Sequence, residues 1–220
     1  MMAPSEQPQI LLLCLSFQSF LDQQYASLID RISQSAQLKR SKTVSGAIRY
    51  LDSNTPKAII ATDEGLAKPE NAAFIPRLLS YLQNGGVVIF GLHFPNFVTD
   101  VMFENLFKGS FDLAWKRGDY QRGTFEVNDF YTLPRGVAPS SLPSAYSMKA
   151  LHVRDAKPQE RILVPVAGSK TQSMVFAPSD VDRSQAAVVG ARIGNGYLAY
   201  VGDVNGEEES DDVILVLCGL

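Results

Sequence analysis

Cysteine is scarce in this sequence, with Cys14 and Cys218 the two that occur in 220 residues. Each lies in an apolar segment near one end of the chain. A disulfide framework needs several spaced cysteines, so none is expected here. Proteins without disulfides are typical of reducing compartments, and the sequence therefore predicts a cytoplasmic location.

Long hydrophobic runs and an excess of positive charge are also missing. No apolar run approaches the roughly 20 residues of a membrane span. The apolar run 10–15 is too short for a signal peptide and lacks a basic segment before it, so it is interpreted as a core strand. The net charge is −3, and Lys39, Arg40 and Lys42 form a small basic group that is predicted to be a solvated loop. Neither a membrane nor a nucleic acid is expected as a partner.

The familiar cofactor motifs are absent as well. The chain has no Gly-rich phosphate loop, Walker motif, Cys-x-x-Cys pair or Ser nucleophile elbow. It has two histidines, His93 and His152, which leaves few nitrogen ligands for a metal. No cofactor and no metal are predicted. His152 lies outside any motif and is predicted to be a surface or structural residue.

Alternating strand and helix patterns fill the first half of the chain. Continuous apolar runs are typical of strands covered on both faces, and apolar residues three or four apart are typical of amphipathic helices. Strands separated by helices favour a parallel sheet. The predicted strands cover 10–15, 58–61 and 87–90, and the predicted helices cover 17–36, 44–51, 75–82 and 97–106.

The middle of the chain, residues 110–182, has a different character. Prolines recur at intervals too short for long helices, and short strands are predicted at 123–127, 161–165 and 173–177. This segment is expected to be a β-rich insertion folded over the sheet, within a single domain that covers residues 1–220. After it, Gly194-Asn195-Gly196 predicts a hairpin between 186–193 and 197–202, and a final helix is predicted at 211–217.

Polar side chains follow several of these strands. Thr62, Asp63 and Glu64 come after one strand, His93 comes after the next, and Asp203 follows a late strand with Asn205 close by. The carboxyl ends of parallel strands lie at one edge of a sheet, and open α/β sheets bind ligands at that edge. We therefore expect a cleft there.

One of these segments resembles a known family. Residues 84–96, NGGVVIFGLHFPN, resemble the strand and elbow of the class I glutamine amidotransferase-like superfamily. Gly85-Gly86, Gly91 and His93 are similar to its ThuA-like (trehalose-utilisation) branch. The resemblance implies a three-layer, flavodoxin-like α/β fold with a mostly parallel sheet and a β-rich insertion.

The chain departs from that superfamily where glutamine is hydrolysed. The superfamily's G-x-C-x-G elbow has a nucleophilic cysteine at the position of His93 and a glycine at the position of Pro95. Gly202-Asp203 lies where the catalytic histidine is usual, and neither cysteine is expected near the carboxyl end of a strand. Because glutamine hydrolysis needs a thiolate, a base and oxyanion donors, the triad is interpreted as lost and glutaminase activity is not expected.

The candidate catalytic residues are His93, Glu64 and Asp203. His93 is a possible general base, metal ligand or partner of a sugar hydroxyl, and the alternative is a structural histidine at a strand end. Asp63 has the alternative role of a turn cap. Aromatic and cationic residues that open the insertion suit stacking and anion clamping, with rim packing as the alternative. The candidate ligand-binding residues are Thr62, Asp63, Phe94, Trp115, Arg117 and Asn205.

Three hypotheses for the function follow. The first is a ThuA-like cytoplasmic protein that binds, and in a stronger form transforms, a small polar metabolite such as a carbohydrate. The second is a non-catalytic interaction module that kept the fold, for example as a homodimer. The third is a metal-assisted hydrolase, which requires three convergent ligands. A shared solvent-accessible pocket for His93 and the carboxylates is the feature that separates the first from the second.

Overall fold

The chain builds strands and helices in alternation and then turns to antiparallel strands. A computed structural model describes residues 7–172, 175 and 177–220. The strands are β1 (Gln9–Leu13), β2 (Gln37–Ser41), β3 (Ala58–Ala61), β4 (Val87–Phe90), β5 (Lys116–Val127), β6 (Tyr146–Arg154), β7 (Arg161–Pro165), β8 (Val188–Ile193) and β9 (Gly196–Val201). The helices are α1 (Leu21–Gln24), α2 (Ala26–Ser35), α3 (Val44–Ser53), α4 (Ile75–Gln83), α5 (Phe94–Phe97), α6 (Asp100–Glu104) and α7 (Glu208–Cys218). A 3-10 turn spans Glu64–Ala67, and a π-helix spans Asn105–Ser110.

Within the described residues one sheet of nine strands runs through the molecule in the order β2-β1-β3-β4-β9-β8-β7-β5-β6. The strands from β2 to β9 in that order are parallel, and the remaining pairs are antiparallel. A two-residue turn at Gly194-Asn195 joins β8 to β9, with a φ of 60° at Gly194 that suits glycine. The predicted hairpin is confirmed, and so is a mixed α/β fold with a parallel core.

Helices cover both faces of the parallel strands. Helices α1, α2 and α7 pack on one face, where Leu28, Ile32 and Leu217 join one apolar cluster. Helices α3, α4 and α6 pack on the other, where Leu78 and Phe103 join a second cluster. Because both faces are buried, the central strands consist almost entirely of apolar residues.

Two predictions about the bounds of strands and helices were wrong. Lys39 and Arg40 do not lie in a loop but in β2, an edge strand parallel to β1. Their charged side chains gave no strand pattern, and charged residues on an edge strand hinder pairing with another chain. The helix predicted from residue 17 begins at Leu21, so Phe17 lies in the preceding loop.

The insertion extends the sheet instead of folding over it. Strand β5 is 12 residues long, and it pairs with both β6 and β7. Strand β6, which the sequence did not predict, curls back toward the parallel core, because Leu151 N donates to Gly202 O at 2.9 Å and Val153 N donates to Ala186 O at 2.8 Å. The strand predicted at 173–177 falls largely outside the described residues. The single-domain boundary at 1–220 stays a prediction.

None of the helices in the described part of the chain combines the length and the apolar character that crossing a membrane requires.

Candidate functional site

The carboxyl ends of four parallel strands lie along one edge of the sheet. Cys14 follows β1, Thr62 follows β3, Gly91 follows β4 and Gly202 follows β9. The strand order reverses between β1 and β3, and sheets of this kind usually bind ligands at such a switch point. This edge therefore contains the polar residues that the sequence singled out.

The switch point itself is closed by contacts between the loops that follow β1 and β3. Asp63 Oδ1 accepts hydrogen bonds from Ser16 N at 2.9 Å and from Gly65 N at 3.0 Å. Thr62 Oγ1 donates to Leu13 O at 3.2 Å. A Cβ at Gly65 would lie 2.6 Å from Leu15 Cβ, so the two loops are in direct contact. Asp63 and Thr62 thus hold the loops together, which matches the capping alternative for Asp63.

The elbow after β4 carries its backbone strain at Leu92. This residue has a φ of 56°, a left-handed conformation that is costly for a side chain with a Cβ. In strand-to-helix elbows of enzymes the nucleophile occupies such a strained turn. The resemblance placed that position at His93, but His93 has an ordinary helical backbone and precedes α5 directly. Leu92 is buried among apolar residues and offers no nucleophilic atom.

His93 lies beneath the surface of this edge with an exposed fraction of 0%. Its Nε2 lies 3.0 Å from Gln24 Oε1 on α1, and its Nδ1 is buried with no hydrogen-bond partner. Burial lowers the pKa of His93, and the nearby Glu64 carboxylate opposes that shift. The imidazole is therefore neutral near pH 7.

Aromatic rings surround His93. The ring centroids of Phe20, Tyr25 and Phe97 lie 4.7, 5.3 and 5.7 Å from that of His93. Tyr25 is buried, whereas Phe20 is 44% exposed and Phe97 is 42% exposed. Two half-exposed rings thus form the outer surface above a buried imidazole.

Glu64 lies in the 3-10 turn after β3 and is also buried. Its Oε1 forms an ion pair with Lys68 Nζ at 2.8 Å, and its Oε2 is buried with no hydrogen-bond partner. An unpaired buried polar atom costs roughly 1 to 3 kcal/mol.

The Asp203 carboxylate accepts hydrogen bonds from the backbone of the loop that follows β9. Its Oδ1 accepts from Asn205 N at 2.9 Å and Gly206 N at 3.3 Å, and its Oδ2 accepts from Glu207 N at 2.7 Å. It is buried, and its charge helps to raise the pKa of Tyr25, after the larger effect of burial. Asn205 is exposed. The structure therefore does not bring His93, Glu64 and Asp203 into one solvent-accessible pocket.

The remaining predicted ligand-binding residues lie in or beside the core. Phe94 is fully buried in the aromatic cluster with Phe90 and Tyr200. Trp115 is fully buried too, and its Nε1 donates to Glu160 Oε2 at 2.9 Å, so its ring is not available for stacking. Arg117 pairs with Asp100 at the surface. Arg117 thus agrees with the rim-packing alternative, whereas Phe94 and Trp115 are buried in the core.

Both cysteines are free and buried. Contrary to expectation, Cys14 directly follows the last residue of β1 and thus lies at the carboxyl edge. Burial is the main cause that raises its thiol pKa, and burial raises that of Cys218 to about 12. Neither thiol is an ionised nucleophile near pH 7.

His152 is not a surface residue. It is fully buried in β6, its ring lies 5.1 Å from that of Phe125, and neither ring nitrogen has a hydrogen-bond partner. Among the residues that the structure describes, no three His, Cys, Asp or Glu side chains are grouped closely enough to hold a metal ion. The metal-assisted hypothesis thus lacks a ligand set in that part of the chain.

A separate cavity of about 460 Å³ lies at the opposite, amino edge of the sheet. Its two cations already have partners, since Arg77 pairs with Asp52 and Lys57 Nζ donates to Gly219 O. Arg77 Nη2 also donates to Leu51 O, in the last turn of α3, at 3.1 Å. Its charges therefore have a structural explanation.

Sequence reasoning missed the groups that complete the His93 region. Gln24, Phe20 and Phe97 contact the imidazole, and Lys68 pairs with Glu64. Gln24 and Phe20 lie about 70 positions before His93, so no local motif connects them.

Comparisons with known proteins find solved structures with a similar fold. No protein-family model and no curated protein matches the sequence. Among solved structures, a ThuA-like protein from Bacteroides uniformis ATCC 8492 matches 99% of this chain and 91% of its own, with a TM-score of 0.60 and 13% identity. A ThuA-like protein from Parabacteroides merdae ATCC 43184 matches 98% of this chain and 88% of its own, with a TM-score of 0.52 and 12% identity. The chain thus has the fold of ThuA-like proteins, as the resemblance implied.

A glycosidase contains a similar fold as part of a longer chain. The β-galactosidase from Bacillus circulans sp. alkalophilus matches 97% of this chain with a TM-score of 0.58 and 12% identity. This chain spans 31% of that enzyme's length. At these identities the likeness shows the fold alone.

Proposed function

We propose that this protein is a ThuA-like, cytoplasmic protein with a flavodoxin-like sheet, which binds a small polar metabolite at the carboxyl edge beside His93. A carbohydrate is the proposed class. The observation that carries the proposal is the contact of two half-exposed rings, Phe20 and Phe97, with the buried imidazole of His93, whose Nδ1 has no hydrogen-bond partner.

The chemistry of this region suits a sugar better than an apolar ligand. Exposed aromatic faces stack on the C–H faces of a sugar ring, while buried polar atoms gain hydrogen bonds from its hydroxyls. No local network uses His93 Nδ1 or Glu64 Oε2. The rings would provide the contact area, and His93 Nδ1 would provide the orientation.

The proposed binding is tested by removing one ring at a time. Phe97→Ala and Phe20→Ala are expected to weaken sugar binding about fivefold each, since a lost ring contact is worth roughly 1 kcal/mol. Calorimetric titration with D-glucose, D-galactose and trehalose measures the affinity, and thermal shift reports binding to the folded state.

Phe130→Ala is the matched control, because Phe130 is 76% exposed and makes no contact with His93. It should leave both the affinity and the melting temperature unchanged. Equal losses in all three variants, or no binding of any of these sugars by the wild type, would contradict the proposal.

We also propose that the protein does not hydrolyse glutamine. The strained elbow position is Leu92, and both thiols are buried with raised pKa values. Incubation with glutamine is expected to release no ammonia above the background of a heat-denatured sample. Ammonia release that persists in a Cys14→Ser, Cys218→Ser double variant would show that another nucleophile acts.

The second candidate function is an interaction or dimerisation module. It is favoured because His93, Glu64 and Asp203 share no solvent-accessible pocket, and because Val101 is 69% exposed in addition to Phe20 and Phe97. Sedimentation velocity separates the two functions. A wild-type dimer that Phe97→Ala converts to monomer would support the module, whereas a monomer that binds sugar supports the first proposal.

A further inference from the structure

A second cavity at the amino edge of the sheet has a volume of about 410 Å³ and lies beside the first residues of β4 and β9. We propose that this cavity binds the phosphate group of a small metabolite through Arg135 and Arg192, which both line it. The cavity lies at the opposite edge of the sheet from His93. The inference therefore does not depend on the proposed function.

Three separate parts of the chain line this cavity. One is the turn that joins α4 to β4, the second is the turn that joins β8 to β9, and the third is a segment of the insertion at Pro134. The two turns are in direct contact. Tyr197 N donates to Gly86 O at 3.0 Å, and a Cβ at Gly196 would lie 2.3 Å from the same oxygen. Both glycine turns therefore contribute to one site.

The insertion segment that carries Arg135 is tied to the sheet by two hydrogen bonds. Tyr197 Oη donates to Thr132 O at 2.5 Å, and Arg192 Nη2 donates to Leu133 O at 3.1 Å. Arg192 thus lines the cavity and also holds the neighbouring wall in place. The two arginines are brought to one cavity by contacts between residues that lie about 60 positions apart in the sequence.

Arg135 itself occupies a tight turn. Val137 N closes this turn by donating to Pro134 O at 3.3 Å, and Gly136 has a φ of 81°, as in a type II turn. The turn fixes the backbone of Arg135, while the side chain is exposed. A fixed backbone lowers the entropy that is lost when the guanidinium binds a ligand.

The charged residues that line the cavity are all basic. They are Arg135 and Arg192, and none of the described lining residues is acidic. Arg192 uses one of its five N–H groups for Leu133 O, and within the described part of the chain Arg135 has neither an ion pair nor a hydrogen-bond acceptor. In the neighbouring cavity, by contrast, Arg77 is paired with Asp52. The two guanidiniums therefore have donors available for an anion.

The C-terminus of α4 lies beside the cavity but does not account for these two charges. Basic residues near a helix C-terminus often bond to carbonyl groups that have no other partner. Here the last four carbonyl groups of α4, those of residues 80–83, accept from the backbone N–H groups of Asn84, Gly85, Gly86 and Asn195 at 2.9 to 3.3 Å. The carbonyl groups are thus satisfied without either arginine.

The number of donors favours a phosphate over a carboxylate. One guanidinium can satisfy both oxygens of a carboxylate through two parallel hydrogen bonds. A phosphate monoester has three terminal oxygens and a charge of about −1.5 to −2 near pH 7, so it can use two guanidiniums. Arg135, Arg192 and the exposed Asn195 line the same cavity and together supply these donors. Its volume lies within the range of about 300 to 1,000 Å³ that is usual for ligand pockets.

Calorimetric titration of the full chain with glycerol 3-phosphate tests the inference. The wild type should bind this phosphate monoester more tightly than inorganic phosphate or succinate, and it should not bind glycerol. Arg135→Gln should weaken binding at least tenfold, because it removes one charge and the hydrogen bonds of one guanidinium. Since Arg135 is exposed, the melting temperature of the ligand-free variant should equal that of the wild type.

Arg49→Gln is the matched control. Arg49 is exposed on α3 and lines neither cavity, so this variant loses the same charge and should keep the affinity of the wild type. Arg192→Lys keeps the charge without the planar fork and should lose less affinity than Arg135→Gln. Asn195→Asp adds a carboxylate of the same size to the cavity and should abolish binding.

The outcomes separate this inference from the proposed sugar site. Equal losses of affinity in Arg135→Gln and Arg49→Gln, or no binding of glycerol 3-phosphate by the wild type, would overturn it. Tighter binding of inorganic phosphate would overturn the metabolite as the ligand, and tighter binding of succinate would overturn the selection for phosphate. Arg135→Gln should leave the affinity for D-glucose unchanged. A parallel loss of D-glucose binding would show that the two ligands share one site, which contradicts a separate phosphate site.

Discussion

Between pH 7 and pH 4, the free energy of unfolding of the wild type is expected to fall by about 3 kcal/mol more than that of the His152→Leu variant. His152 is fully buried with both ring nitrogens unpartnered. Burial lowers its pKa from 6.5 to about 4, and the charges of Asp119 and Asp182 oppose that shift. Leucine fills a similar volume, has no polar atom to bury and does not titrate.

The direction of this effect follows from proton binding. Because the pKa of His152 is lower in the folded state, the unfolded state binds the proton first as the pH falls. The folded state is therefore unaffected above about pH 6.5, loses stability between 6.5 and 4, and loses no more below about 4. Urea unfolding at pH 7, 6, 5 and 4 measures this profile.

Asp211 has the opposite effect on the stability of the folded state over much of the same pH range. Burial raises its pKa to about 6, so the folded state gains stability as the pH falls toward the ordinary value of 3.8. Both the wild type and His152→Leu contain Asp211, and the difference between their profiles isolates His152. Parallel profiles for the two proteins would show that His152 is hydrated or paired in solution.

Asp203→Ala is expected to lower the free energy of unfolding by about 2 to 4 kcal/mol, because hydrogen bonds to a buried charged group are strong. The carboxylate accepts from three backbone N–H groups, and alanine leaves all three without that partner. Asn retains one acceptor oxygen, so Asp203→Asn should be intermediate. Urea unfolding at pH 7 measures the order.

Asn205→Ala provides the control for this prediction. Asn205 is exposed, and the variant keeps its backbone N–H, so the change should stay within about 0.5 kcal/mol. If Asp203→Ala instead keeps the stability of the wild type and abolishes ligand binding, Asp203 belongs to the ligand site and its role as a loop cap is secondary.

The sequence by itself determined the central strands of the parallel core and the two ends of α4. The central strands are buried on both faces, so their positions appear as unbroken apolar runs in residues 10–13, 58–61 and 87–90. Pro76 lies in the first turn of α4, and Asn84-Gly85 ends it, as local backbone preferences require. These signals are local, so neighbouring residues suffice to read them.

The elements that the sequence concealed depend on their partners. Strand β2 carries charged residues because one edge faces outward, and its pairing with β1 is what makes it a strand. Strand β6 is bonded to β5 and to the residues that flank β8 and β9. Pairing between segments far apart in the chain decided both elements.

Only the tertiary structure decided what each polar residue does. Asp63, Asp203 and His93 all follow strands of the parallel core, and the sequence grouped them in one cleft. In the structure the carboxylates of Asp63 and Asp203 accept hydrogen bonds from backbone N–H groups. His93 instead contacts Gln24 and aromatic rings from elsewhere in the chain. A hydrogen-bonding group has a free function only where no nearer partner satisfies it, and burial and neighbours are properties of the folded chain.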